Sequence, residues 1–219
     1  KESKTRDLSI RIEEQKLCRR YVGRVIENEK IGQSGDWIRE SLEAFGQRTI
    51  NSVVDLANCA MLDRGEPLHV FDADKVVGGI TVRLAKKGEK ITTLDGKDVL
   101  LDTETLVIAD DEGPLAIAGI KGGKRAEVTE NTKNLILEAA NFEPASIRKT
   151  SARLGIKTDS SKRFENEITP EIAEAGMDML TMFIQMMIGG ELKIGPKIDI
   201  YLQKVSKRKI DFDPKKVET

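Results

Sequence analysis

The chain has 219 residues, 39% of them hydrophobic, with 36 Lys+Arg against 37 Asp+Glu and a formal charge of −1. That length buries a core without disulfide or metal staples, and the charge balance excludes a protein that grips nucleic acid with its whole surface. Any contact with RNA or DNA therefore needs a local patch. Two isolated cysteines, Cys18 and Cys59, form no CxxC and have one histidine for company, so no metal site is expected. Such thiols fit a reducing compartment, and a cytoplasmic location is expected. No apolar run approaches the ~20 residues that cross a bilayer, so no membrane partner is expected. The chain lacks an initiator methionine and stops in a charged run, which reads as an excised piece of a longer protein.

In chain order, "LSIRI" alternates Leu8, Ile10 and Ile12 as a short strand, and "RYVGRVI" follows as another. "SGDWIRESLEAFG" predicts a helix capped by Ser34 or Asp36, with Trp37, Ile38, Leu42 and Phe45 near one face and Gly46 at its end. "INSVVDLANCAMLDRG" predicts a second helix on Ile50, Val53, Val54, Ala57, Ala60 and Met61, stopped by Gly65 and Pro67. From residue 78 to 140 the period changes to two. "GITVRLA" alternates, Asp95-Gly96 signals a hairpin turn, and "TLVIADDEGPLAIAG" and "NLILEAA" read as strands buried on both faces. Helices return in "EPASIRKTSARLG", with Pro144 in the first turn and Ile147, Ser151 and Leu154 inward, and in "DSSKRFEN". The longest helix follows Thr169-Pro170 and closes at Gly189-Gly190, with a stripe of Ile172, Ala175, Met179, Leu180, Phe183 and Met187. Its five methionines read as flexible core filler, with a partner surface as the other account. "PKIDIYL" is a last strand. The order predicts an α+β fold of mixed or mainly antiparallel sheets, covered by helices near residues 50 to 63 and 144 to 188.

Four features carry possible chemistry. "AGIKGGKR" places glycines where backbone groups can approach an anion or an ester, yet it matches neither nucleotide-binding fingerprint, and taken alone such a loop is more often a tight turn. Glu138 interrupts an apolar strand: burial would raise its pKa, whereas strand alternation would send it to solvent. The run from residue 148 to 163 holds Arg148, Lys149, Arg153, Lys157, Lys162 and Arg163, a candidate phosphate-binding set or a solvated helix face. His69 is the single histidine. A solitary loop histidine is more often incidental; if this one acts, with no serine elbow or CxxC to serve, it orders a water or binds a substrate group.

These segments occur together in an order that resembles a known family. "RTINSVVDLANCAMLDRGEPLHVFDADKVVGGITVRLA", "TLDGKDVLLDTETLVIADDEGPLAIAGIKGG" and "LEAANFEPASIRKTSARLGIKTDSSKRFE" look like the central editing module of the beta subunit of bacterial phenylalanyl-tRNA synthetase. The resemblance covers roughly residues 8 to 205. It implies an editing module over 1–205 and the start of a linker or next domain over 206–219. It implies two sub-lobes with a cleft between them, lined by "PLHVFD", "GIKGG", the "LE" strand end and "TDSS". It implies a parent heterotetramer of two alpha and two beta subunits, in which the alpha subunit charges tRNA-Phe with ATP and Mg²⁺, while this module needs no cofactor. The activity implied is hydrolysis of the ester in Tyr-tRNA-Phe, because a pocket shaped for phenylalanine excludes an added hydroxyl imperfectly.

Residue by residue, the resemblance assigns the tyrosine phenol to Glu138, the hydrolytic water or ester end to His69, and a polar cleft position to Asn58. Gly119, Gly122 and Gly123 would let backbone approach the ligand, and Thr158 and Ser160 would form part of the wall. Several positions depart from the family pattern: Ala57 stands where a threonine is usual, Ser160 where an alanine is usual, Lys162 where a histidine is usual, and "NEITP" replaces the usual segment after Glu165. A non-catalytic scaffold or RNA-binding role in the same synthetase is the alternative those departures suggest.

Overall fold

The computed structural model describes residues 2–28, 30–187 and 191–202, together with Lys204 and Lys209. Strands β1 (Ile10–Ile12) and β2 (Cys18–Glu27) open the chain, followed by helices α1 (Asp36–Ala44) and α2 (Ser52–Arg64). Strand β3 (Leu68–Asp72) leads through a 3-10 turn at Ala73–Lys75 to β4 (Ile80–Leu84). Then come β5 (Lys90–Thr92), β6 (Asp98–Leu100), β7 (Leu106–Ala109), β8 (Pro114–Ile117), β9 (Lys121–Gly122) and β10 (Asn134–Phe142). Helices α3 (Pro144–Leu154), α4 (Asp159–Phe164) and α5 (Glu171–Met187) precede β11 (Lys193–Ile194) and β12 (Ile198–Tyr201). The fold is α+β, as the segment order predicts.

Two sheets carry the structure. One runs β1-β4-β7-β8-β9, with β1 and β4 parallel and the other pairs antiparallel. The other is antiparallel, in the order β11-β2-β10-β3, with β12 also on β2. β5 and β6 form a separate hairpin, turned at Gly96 with φ 79° as the Asp95-Gly96 signal predicts. Side chains alternate along a strand, so the long strands of the second sheet feed two cores. Tyr21, Val25, Phe71, Ile136, Ala140 and Phe142 face one core with the first sheet's Val82, Ile108, Leu115 and Ile117. Val22, Ile26, Val70, Leu135, Leu137 and Ala139 face the other, with Ile38 and Leu42 of α1, Leu56 and Ala60 of α2, and Met177, Leu180 and Ile184 of α5. Covered on both sides, β10 is buried along almost its whole length.

Local signals explain the helix ends. Asn51 Oδ1 accepts from the Val54 amide at 3.0 Å, and Gly65 closes α2 at φ 76°. Glu143 caps α3 by accepting from the amides of Ala145 and Ser146. α4 opens on a capping box between Thr158 and Ser161.

Several expectations need correction. Gly35, not Ser34 or Asp36, occupies the α1 cap, because the Ser34 hydroxyl donates to Asp55 Oδ2 at 2.6 Å. Trp37 and Phe45 are exposed, leaving Ile38 and Leu42 as the inward residues of α1. Ile50 precedes α2 and is exposed. α3 and α4 do not join the other helices over the second sheet: Ile147 and Phe164 enter the core between the sheets, where Phe164 meets Phe142 edge-on at 5.2 Å. The Thr169 hydroxyl bonds the Glu171 carboxylate rather than a helix amide. The buried face of α5 is Ala173, Gly176, Met177, Leu180, Thr181 and Ile184. The predicted stripe shares only Leu180 with it, because apolar residues lie around most of the helix and Ala173, Met177, Leu180 and Ile184 form a second regular stripe, which is the one buried. Gly176 lies close against Glu66 and Leu68, and the Thr181 hydroxyl is satisfied by the Met177 carbonyl at 2.8 Å. The methionine reading fails in part: Met177 is core, while Met182, Met186 and Met187 are exposed. The predicted stop at Gly189-Gly190 and most of 206–219 lie outside the described residues.

Candidate functional site

The antiparallel register of β3 and β10 sets His69 opposite Glu138. Directly opposed residues hold their Cβ atoms ~5 Å apart on one face of the sheet. Here that face looks toward the first sheet, and a cavity of about 100 Å³ opens between them. Its walls are largely apolar, formed by Ile108, Ala116, Ile117, Phe142 and Phe164, with Glu138, His69, Gly119, Gly122 and Ser160 among the rest. This is the scale of the ~150 Å³ cavity that accepts a single benzene ring. A second, outer cavity of about 710 Å³ shares Pro67, Leu68, His69, Ile120, Lys121, Gly122 and Ser160 with the first. His69 therefore stands where the two meet, and Glu138 belongs to the inner one alone.

Glu138 is 5% exposed, and its Oε2 has no hydrogen-bond partner. Burial in this apolar setting pushes its pKa up to about 8, so the carboxyl carries its proton at neutral pH and can both donate and accept. Burial acts on His69 in the opposite sense and lowers its pKa to about 4, because protein crowds the ring and desolvation penalises the imidazolium. Some of its surface remains open at the junction of the cavities. Among the described residues neither ring nitrogen has a hydrogen-bond partner, while the ring packs edge-on against Phe71 at 4.6 Å. A neutral imidazole this weakly basic orients a water better than it abstracts a proton.

The glycine loop shapes the junction. A Cβ on Gly122 would lie 2.6 Å from His69 Cε1 and 2.9 Å from Leu94 Cδ1, so only glycine lets both side chains close over the strand. Gly119, at φ 67°, packs under Ile147, Phe142 and Phe164. Gly123 lines neither cavity: it is pressed against the Leu115 carbonyl, to which its own amide donates at 2.7 Å. The amides of Ile120 and Lys124 are likewise spent on Ile117 and Thr92. The loop thus approaches other protein groups at Gly119 and Gly123.

α4 holds this loop in place. Thr158 Oγ1 donates to the Ile120 carbonyl at 2.9 Å, and Ser160 Oγ donates to the Gly119 carbonyl at 3.1 Å. The hydroxyl of Ser160 is therefore used within the wall. Thr158 and Ser160 line the outer cavity with Ala57 and Asn58 of α2, and Gln47 bridges to Asp159 at 3.3 Å. Asn58 is in the outer cavity and absent from the inner one.

None of the six basic residues predicted for RNA lines either cavity. Arg153 is paired with Asp102 at 2.6 Å and with Glu104, and Lys162 with Asp159 at 3.4 Å. Arg163 donates to the Asp159 carbonyl at 3.1 Å. Arg148, Lys149 and Lys157 are exposed. The cations on the outer cavity are Arg48 and Lys121, neither singled out from sequence, since each stands outside any charge cluster. Sequence reading also missed Glu66, which is 0% exposed, with the Ala140 backbone beside its carboxyl. Burial, and then the nearby Glu138, raise its pKa well above the usual range. Among the described residues no three His, Cys, Asp or Glu side chains gather as a metal site, and no helix is long and apolar enough to cross a membrane.

The family model described as the B3/4 domain matches residues 17–189. The chain is 48% identical over 184 residues to a phenylalanine–tRNA ligase beta subunit from Protochlamydia amoebophila, covering 84% of this chain and 23% of that protein. It is 46% identical over 206 residues to the corresponding protein of Aquifex aeolicus, covering 94% of this chain and 26% of the other. The chain thus spans about a quarter of the length of these relatives. A solved structure, an N-terminal fragment of the phenylalanyl-tRNA synthetase beta subunit from Pyrococcus horikoshii, aligns with a TM-score of 0.49 and 18% identity, covering 71% of this chain and 51% of that one. With the family model matching most of its length, the chain belongs to the B3/4 domain family.

Proposed function

We propose that this chain is the editing module of a phenylalanine–tRNA ligase beta subunit, and that it hydrolyses the ester of tyrosine wrongly joined to tRNA-Phe. The observation that carries the reading is Glu138: a buried, protonated carboxyl with an unpartnered oxygen, in a ring-sized apolar cavity beside a neutral histidine. A phenol hydroxyl satisfies that carboxyl, and its ring fills the apolar walls. Phenylalanine would leave the carboxyl unpaired, which costs about 1–3 kcal/mol. The amino-acid carbonyl then lies toward His69 at the junction, and the RNA end occupies the outer cavity.

In the reaction, a water held by His69 adds its oxygen to the ester carbonyl carbon. The bond from that carbon to the ribose oxygen breaks, and the proton lost by water ends on the ribose oxygen. His69, with its lowered pKa, positions the water; the terminal ribose hydroxyl of the RNA relays the proton. The loop amides of Ile120 and Gly123 are committed to the fold and give no support to the tetrahedral oxyanion. The parent enzyme pairs this beta subunit with an alpha subunit as a heterotetramer, and ATP and Mg²⁺ serve the charging reaction there; no residue of this chain is assigned to them.

Preformed Tyr-tRNA-Phe given to the parent protein tests the reading. His69→Ala slows ester loss, and Glu138→Ala erodes the preference for tyrosyl over phenylalanyl ester. The non-catalytic alternative draws on Ala57, which brings no hydroxyl to the outer cavity. Mischarging that stays unchanged when both residues are replaced favours that scaffold role.

A further inference from the structure

The outer cavity has a composition of its own. Ile50, 70% exposed, and Leu94, 36% exposed, are large apolar side chains on its lining, contributed by the segment before α2 and by the β5–β6 turn. Lys121 and Arg48 line it as cations. Leu94 is fixed there: its amide donates to the Gly122 carbonyl at 3.0 Å, and its side chain packs on the Gly122 face that also receives the His69 ring. Lys121, its side chain 26% exposed, lines both cavities, and its ammonium has one weak engagement, 3.9 Å from the half-exposed Asp95 carboxylate of the same turn. An ion pair so long and so open to solvent holds a lysine loosely.

Resting on the editing reading above, we infer that Lys121 and Leu94 clamp the last unpaired nucleotide of the RNA, Lys121 binding its 5′-phosphate and Leu94 covering its base or ribose. Apolar surface beside a cation is the pairing that single-stranded nucleic acid requires. The shared contact on Gly122 sets the distance, so a nucleotide held against Leu94 delivers its ester to His69. Arg48 adds positive field to the same cavity, while Glu127 and Asp159 on its lining oppose it. Lys121 exchanges the Asp95 carboxylate for the phosphate as the RNA enters. It is a positioning residue and takes no part in bond breaking.

The test uses the parent protein with two esters: tyrosine on a short RNA hairpin with an unpaired 3′ end, and tyrosine 2-hydroxyethyl ester, which keeps a hydroxyl beside the ester to relay the proton but has no nucleotide. For the RNA ester, Lys121→Gln raises KM about tenfold with kcat within about twofold. The dependence of log KM on log salt falls by about 0.7, the share of one phosphate contact on a single strand. Lys121→Arg restores KM, Leu94→Ala raises it about threefold, and the hydroxyethyl ester is hydrolysed equally by all four proteins. An unchanged KM for the RNA ester, or an equal loss on the hydroxyethyl ester, overturns the clamp. If wild type cleaves neither ester, the editing reading fails and the clamp is judged separately. Fluorescence anisotropy with the uncharged hairpin then decides: weaker binding and a shallower salt slope in Lys121→Gln support it, and identical curves overturn it.

Discussion

Replacing Glu138 by glutamine removes a titratable group that the fold holds far from its ordinary behaviour. An exposed glutamate ionises near 4.5; burial in the inner cavity delays this to about 8. The native state therefore keeps a proton that the unfolded chain releases, and stability falls as pH rises from the first value to the second. Each pH unit in that window is worth about 1.4 kcal/mol, ~5 kcal/mol across the whole of it. Between about pH 5 and about pH 7 the wild type loses roughly 2–3 kcal/mol through this residue, whereas glutamine, of the same shape and always neutral, loses none. Urea unfolding of both proteins at the two pH values measures the effect as a widening gap in favour of Glu138→Gln. A gap constant within about 0.5 kcal/mol would falsify the argument, since it would mean that the carboxyl is hydrated or already paired.

Four further outcomes follow from the same geometry. The rate of ester hydrolysis stays flat through the ordinary histidine range and falls only as pH drops toward 4, because the fold holds His69 neutral down to that value; an inflection near 6.5 in the pH–rate profile refutes this. Gly122→Ala drives a methyl into the His69 ring and Leu94, so it costs ~1–3 kcal/mol of stability and slows hydrolysis on the order of 100-fold by displacing the imidazole. Wild-type stability and rate in that variant count against the packing. Gly176→Ala would favour an isolated helix by ~1 kcal/mol, but its Cβ would fall 2.9 Å from Glu66 Cγ, so thermal melting should show a lower Tm; an increase overturns this. Glu66→Gln raises stability at neutral pH and less so in acid, since the wild-type carboxyl must retain its proton in the fold; equal melting curves across pH refute that.

Much of the fold was legible in the residues themselves. Period-two runs and continuous apolar stretches located β4, β7, β8 and β10, and Gly65, Pro144 and Asp95-Gly96 marked the end of α2, the start of α3 and the β5–β6 turn, because those are local matters of backbone geometry. The α5 stripe was misread because apolar residues lie around most of that helix, so two regular stripes compete, and only packing against the second sheet and α2 selects Ala173, Met177, Leu180 and Ile184. The fate of Glu138 was open in the sequence: alternation only says that it faces away from Leu137. The second sheet is covered on both sides, by helices on one and by the first sheet on the other, so neither face of β10 reaches solvent and the carboxyl is buried.

The sequence by itself, read with its family resemblance, determined the candidate residues: one histidine, one glutamate in an apolar strand, a glycine loop and a short hydroxyl-bearing helix. Only the tertiary structure decided how they stand to one another. Strand register makes His69 and Glu138 neighbours, desolvation leaves both uncharged at neutral pH, and the glycines serve packing against His69, Leu94 and Phe164. It also put Lys121 and Leu94 beside them and left the basic run of α3 and α4 outside. Pairing, burial and the sharing of a cavity are set by residues far apart in the chain, and no local pattern records them.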